Sequence, residues 1–404
     1  MAASRRFIAG DPLRACAALG VLVFHAANWA AGQAGFADRL AADAVAGHSA
    51  AFGTVAGSLI AGCWLGFLVF FVLSGYLVGG PYARAVVERG LRQSLVGYLR
   101  NRVLRIVPAY WLVLTAVIVV FVGLTGDAQP STGDVAAAYL FHVTLDNPLV
   151  AWIGQAWSLG VEVEFYALVA IAAVAVAPAV SRLPGARMRA AAIAIPCMAY
   201  FAAAPLLYGL GAVERRFIAF LGLLLAGVAI AAVEPFVRPL VAGSAAWGRA
   251  GALLATAGAT YCFASGLGTT VSGFFASTAG VLAAHTAVVA VVAGPLLTQW
   301  ATGGCWRLLD NGALRWLGKR SYSFYLVHLA VLWWLARELA ARGLGYKEVL
   351  VTLVPLGIAL SAALAVVLYR FVERPFLDRK VRRPSPGVSV GPAAAVEARA
   401  SATR

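Results

Sequence analysis

Charge is scarce in this chain. Asp, Glu, Lys and Arg make up 12% of it, where an ordinary soluble domain carries about 25%. Acidic groups are the scarcer kind, 17 against 32 Lys and Arg. With a hydrophobic share of 62% and a mean hydropathy of +0.83, that shortage excludes an ordinary soluble domain. Cysteine is sparse too: Cys16, Cys63, Cys197, Cys262 and Cys305 are scattered, with no CxxC and no Cys–His pair at ligand spacing. Neither a disulfide framework nor a metal site is expected. Neither an internal repeat nor a soluble second domain stands out. No cleaved leader is expected either, because the first apolar run carries polar residues inside it and no small-residue cleavage site follows.

What the chain does have is long apolar runs of about 20 residues, the length that crosses a bilayer as a helix. They fall at 13–31, 59–79, 104–124, 157–178, 190–208, 216–233, 246–266, 279–299, 321–337 and 349–369. The fourth could begin earlier, and the seventh is the weakest, being rich in small residues. The fold class expected is an all-α, polytopic transmembrane bundle of about ten spans. The net charge of +15 could suggest nucleic acid, but its distribution argues otherwise. With the N-terminus inside, only Arg39, Arg215, Arg216, Arg337, Arg342 and Lys347 of the 32 basic residues fall outside. That asymmetry places both termini in the cytoplasm and implies a multi-pass protein of the cell membrane, touching lipid rather than nucleic acid. Residues 1–378 would form one membrane domain, and the polar, Pro-containing stretch 379–404 a disordered cytoplasmic tail whose basic start could meet anionic lipid.

Ionisable groups cost about 2.5–3.5 kcal/mol at the centre of a spanning helix, so the few present are informative. Arg14 and His25 stand in the first run, "DPLRACAALGVLVFHAANWA". Their spacing is about three helical turns, which puts both on one face, roughly 16 Å apart along the axis. A packing histidine and a basic helix cap are the plain alternatives. In "YLRNRVLRIVPAYW", Arg102 and Arg105 share a face at the start of the third span. A guanidinium pair suits phosphate oxygens, although any cytoplasmic loop attracts basic residues.

In "AWSLGVEVEFYALVA", Glu162 and Glu164 point to roughly opposite faces, whereas Ser158 shares a face with Glu162. In "GKRSYSFYLVHLAVLWWL", Ser321, Tyr325 and His328 line one face, as a cavity wall or as interhelical glue. His285 reads as packing, and His48 and His142 fall in outer loops.

These segments carry a resemblance. Asp11, Leu13, Arg14 and His25 resemble the first-span motif of the acyltransferase 3 family of integral membrane O-acyltransferases. "FFVLSGYL" (Phe70 to Leu77, with Ser74), "RNRVLRIVPAYW", "WSLGVEVEFY", "LGKRSYSFYLVH" and "VERPF" (Val372 to Phe376) resemble its later blocks, in order, over about residues 10–376. Pro12 stands where the family often has Gly, and Tyr76 where Phe is usual. Val163 and Glu164 replace a more typical acidic and amide or aromatic pair.

The resemblance implies acyl-CoA as donor substrate, with no bound cofactor, and a hydroxyl acceptor, often a sugar. Arg102 and Arg105, helped by Arg14, would hold the phosphates of coenzyme A. His25 would be the general base, Glu162 a second catalytic residue that orients the acceptor or stabilises the protonated histidine, and Ser74, Ser158, Ser321, Tyr325 and His328 would line the cavity. Taken as starting a span, Glu162 should lie nearer the outer face than His25, and a cavity should join the Arg102/Arg105 surface to His25 with a second approach from the Glu162 side. An acetylated saccharide or glycolipid is the leading acceptor class. A small secondary metabolite such as a macrolide is an alternative, and a transporter is the alternative of another class. The lack of repeats and of paired broken helices weighs against the transporter.

Overall fold

The computed structural model describes residues 7–31, 54–89, 94–144, 146–209, 216–264 and 277–379. The expected disordered tail lies, but for its first residue, outside the described residues, as does His48. The described chain forms ten long helices: α1 (Gly10–Ala30), α2 (Val55–Glu88), α3 (Leu95–Leu124), α4 (Val150–Ala175), α5 (Ala186–Gly209), α6 (Arg216–Val241), α7 (Ala245–Ala264), α8 (Thr278–Thr302), α9 (Ser321–Ala340) and α10 (Tyr346–Asp378). Each expected apolar run falls on one of them. Eight are long and apolar enough to cross a membrane, and α7 and α9 are the two outside that set. The protein is an all-α membrane bundle.

The weak apolarity of α7 has a packing reason. Gly248, Gly251, Ala255, Gly258 and Cys262 form its buried stripe. A Cβ at Gly258 would come within 2.5 Å of the Ala287 carbonyl oxygen, and one at Gly294 within 2.7 Å of the Ala255 methyl group. Small residues here let two backbones approach, the usual basis of helix association where lipid supplies no hydrophobic driving force. The run reads as poorly lipophilic because it faces α8 rather than acyl chains.

Helix α1 occupies the interior, packed against α2, α9, α10 and the short amphipathic helix Gly312–Lys319. Helices α2 and α6 cross backbone to backbone. A Cβ at Gly75 would overlap the Leu224 carbonyl oxygen, and one at Gly227 the Val72 carbonyl oxygen. From Gly75 to Gly79, α2 widens into a π-helical turn, a feature that re-aims side chains. Tyr76, within it, donates to Glu234 Oε2 at 2.9 Å, and Arg84 Nη1 donates to the same oxygen at 2.8 Å. The Arg84 guanidinium also sits 5.0 Å from the Tyr76 ring centroid. A buried carboxylate is thereby paired and clamps α2 to α6.

Helix α4 does not begin at Trp157. Seven residues from Val150 precede it, including a tight 3₁₀ turn at Gly154–Ala156. That turn is stitched to α9: Gln155 Nε2 donates to the carbonyl oxygens of Tyr325 (3.1 Å) and Leu326 (2.9 Å).

Candidate active site

Two linked regions emerge along α1. At the Arg14 end, Arg14 is half-buried, 3.7 Å from Asp11, and feels the charges of Arg105 and Glu162. Ser74 donates to Glu162 Oε1 at 2.7 Å, and Tyr166 donates to Glu162 Oε2 at 2.7 Å. The Arg102 guanidinium lies 5.7 Å from the ring centroids of both Tyr98 and Tyr166, within cation–π range. Arg14 lies within electrostatic reach of Glu162, and Arg102 and Arg105 within that of Tyr166, so the three guanidinium groups gather near a carboxylate whose two oxygens already accept hydroxyl protons. This partly exposed cationic cluster, or vestibule, fits a polyanion.

This geometry corrects the expected depth order. Glu162 does not lie on the far side of His25 from the arginines; it shares their vestibule. The reason is the early start of α4: Glu162 comes twelve residues after Val150, roughly 18 Å along the helix. The second approach that was expected from a Glu162 side is accordingly not where Glu162 stands.

Roughly 16 Å along α1 from Arg14, His25 is buried, with 4% of its surface exposed. It lines a pocket of about 290 Å³, counting its open side, together with Val21, Phe24, Trp64, Phe67, Trp157 and Tyr325. The walls are aromatic and mutually braced. Phe67 meets Trp64, Phe71, Trp157 and Phe220 edge-on, with centroids 5.4–6.0 Å apart. Arg102 and Arg105 are not part of this lining, so the continuous cavity expected between them and His25 is not formed by this pocket.

Behind the pocket, Tyr325 and Ser158 share a hydrogen bond of 2.9 Å, and both reach the Gln155 carbonyl oxygen, at 3.1 and 3.2 Å. His328 is 1% exposed, and its ring centroid lies 5.4 Å from that of His25. Of the residues expected to line a cavity, only Tyr325 lines this one. Ser158 supports it, Ser74 serves Glu162, His328 backs His25, and Ser321 is buried on the first turn of α9.

Gln155, Trp64 and Phe67 were not singled out from sequence. Gln155 falls just before the fourth run as placed at 157–178, and lone aromatics in an apolar run carry no distinguishing spacing. His285 is buried against Phe201, at 6.3 Å, away from this pocket. Glu164 is exposed and has His142 for an electrostatic neighbour. The "VERPF" block contributes a buried carboxylate, Glu373, which accepts from Ser323 at 2.7 Å.

A family model described as an acyltransferase domain matches residues 10–370. The chain belongs to the acyltransferase 3 family. No curated protein and no solved structure gives a significant match. As an acyltransferase 3 protein it is a membrane O-acyltransferase and an integral membrane enzyme, which sets the transporter reading aside. Within this acyltransferase the departure at Tyr76 has a local explanation, since its hydroxyl satisfies Glu234.

Proposed function

We propose that this enzyme moves a short acyl group, acetyl first among them, from acyl-CoA to a hydroxyl of a saccharide or glycolipid at the cell membrane. The observation that carries the reading is the placement of His25. It faces an aromatic pocket at one end of a helix whose other end, through Arg14, joins the Arg102/Arg105 vestibule.

The vestibule, on the cytoplasmic side in this reading, takes the phosphates of coenzyme A, with guanidinium forks matching their oxygens. The pantetheine arm then carries the thioester along α1 toward His25. An imidazole nitrogen accepts the proton of the acceptor hydroxyl as its oxygen attacks the thioester carbon. The carbon–sulfur bond breaks, and the same nitrogen returns the proton to the departing thiolate. Aromatic walls exclude water, which would otherwise hydrolyse the thioester. Glu162 supplies counter-charge to the arginines rather than a surface for the acceptor.

A second acceptor class is a small secondary metabolite such as a macrolide, of which only an apolar edge carrying the hydroxyl would meet the aromatic lining. Purified enzyme in nanodiscs, given radiolabelled acetyl-CoA and either a lipid-linked saccharide or a macrolide, distinguishes the two. Label should pass to one acceptor with release of free thiol, and H25A should pass it at least about 10²-fold more slowly. Equal transfer by H25A, or none by the wild-type enzyme from any acyl-CoA, overturns the proposal.

A further inference from the structure

The pocket beside His25 is better suited to hydrocarbon than to a set of hydroxyl groups. Apart from His25, its lining side chains are aromatic or aliphatic. The indole N–H groups of Trp64 and Trp157 can only donate. The Tyr325 hydroxyl is already engaged by Ser158 and by the Gln155 carbonyl oxygen, at 2.9 and 3.1 Å. A saccharide carries several hydroxyl groups, and this lining offers at most one imidazole to accept from them. A sugar seated inside would leave the others without partners, which is costly. A short alkyl chain has no polar atom to satisfy.

Phe67 holds a particular place in that lining. It stands on α2 three residues after Trp64 and four before Phe71, so the three side chains share a face. Its ring meets Trp64 and Trp157, which also line the pocket, each at 5.4 Å. It meets Phe71 and Phe220, which do not line it, at 6.0 and 5.6 Å. Those two rings stack on each other at 5.4 Å, and Phe71 is only 1% exposed. Phe67 is therefore a partition, with the pocket on one side and a filled aromatic core on the other.

We propose that this pocket receives the acyl group of the donor and that Phe67 limits its length. The inference rests on the acyl-transfer reading, and it supplies the reason for a short acyl group. The thioester carbon stands at the pocket mouth by His25, where the acceptor hydroxyl reaches it from the open side, and the alkyl end points inward. Phe67 touches only alkyl carbon and takes no part in the proton's path. Each methylene beyond a short chain presses on the Phe67 ring, which cannot retreat because Phe71 and Phe220 occupy the space behind it. A smaller side chain at this position opens the pocket onto those two rings and gives a longer chain apolar surface to cover.

Thioethers of coenzyme A test this without turnover, since they have no carbonyl to transfer. Isothermal titration of enzyme in nanodiscs gives the Kd of coenzyme A, S-ethyl-coenzyme A and S-hexyl-coenzyme A for wild type, Phe67→Ala and Phe67→Leu. Partition of the hexyl chain into lipid is common to all three proteins, so the ratio of the ethyl to the hexyl Kd isolates the pocket. That ratio should rise at least about tenfold from wild type to F67A, because each buried methylene strengthens binding about fourfold. F67L should fall between. A gain in affinity cannot come from a misfolded protein, and if F67A does not fold, the smaller truncation in F67L still decides. An unchanged ratio in the variants that bind coenzyme A overturns this inference alone. Should coenzyme A itself fail to bind the wild type, the acyl-transfer reading falls and takes the inference with it.

Discussion

Ser74 and Glu162 stand 88 positions apart and meet at 2.7 Å. Through that hydrogen bond the second-span and fourth-span motifs become one structure, and the carboxylate is oriented between a serine and Tyr166 while facing the charges of Arg14 and Arg105. An anion already held in a cationic vestibule competes with any anion arriving there.

Glu162→Gln should therefore tighten coenzyme A binding by about two- to fivefold, the scale of a partly exposed ion interaction. Isothermal titration with coenzyme A measures it. Weaker binding would mean that Glu162 orients the guanidinium groups rather than competing with the ligand.

Loss of the base should be far more severe. His25→Ala should lower turnover by about 10²–10⁴-fold while coenzyme A affinity stays within experimental scatter. Because His25 is absent from the vestibule, a matching loss of donor affinity would contradict the two-region description.

Donor affinity should instead answer to the arginines. Arg102→Ala and Arg105→Ala should each weaken coenzyme A binding, and Lys should restore only part of it, since a point charge cannot reproduce the planar fork. Equal affinity in all variants would reduce the pair to topology signals. Arg102 has a second attachment, its contact with Tyr98 and Tyr166, so its Ala variant should also loosen α3 from α4.

Stability depends on a different carboxylate. Glu234 accepts from both Tyr76 and Arg84 in a site nearly closed to solvent. Glu234→Ala leaves a buried guanidinium unpaired and should cost about 3–5 kcal/mol, while Tyr76→Phe should cost about 1 kcal/mol. Thermal unfolding in detergent orders the two; a Tyr76→Phe defect equal to that of Glu234→Ala would show the ion pair to be incidental.

At the other end of the bundle, the Thr125 hydroxyl and the Arg337 guanidinium hold the Asp127 carboxyl below its ordinary value. A depressed folded-state value means the contribution is present at neutral pH. It fades as pH drops from the ordinary Asp range, about 3.9, through the lower folded value. Asp127→Asn should remove that part of the acid-limb dependence, with an unfolding temperature slightly below the wild type's at neutral pH and equal to it once the pH is below the folded value. An identical acid limb in both proteins would show that the contact contributes nothing.

Helix existence was legible throughout, because a run of about 20 apolar residues has one stable backbone solution in lipid. Each of the ten runs became a helix, and the one that read weakest, in α7, did so because its glycines face α8. The spacing of Arg14 and His25 also held, being a local property of one helix. Two things were hidden. The depth of Glu162 depended on how early α4 starts, which the apolar run left open and which the tight turn at Gly154–Ala156 settles by continuing the span back to Val150. The adjacency of His25 and His328 is set by how α1 packs on α9, and the period of either helix says nothing about the other.

The crossing at Gly75 and Gly227 bears on how mutational surveys of this protein will look. An alanine scan treats alanine as the neutral replacement, yet at these positions even a methyl group would strike a carbonyl of the opposing helix. Parting α2 from α6 there would carry Ser74, the next residue along, away from Glu162. Both glycines should therefore score among the most sensitive positions in such a survey. Their scores would record the distance between two backbones, and a ranking by sensitivity alone would mistake them for chemistry.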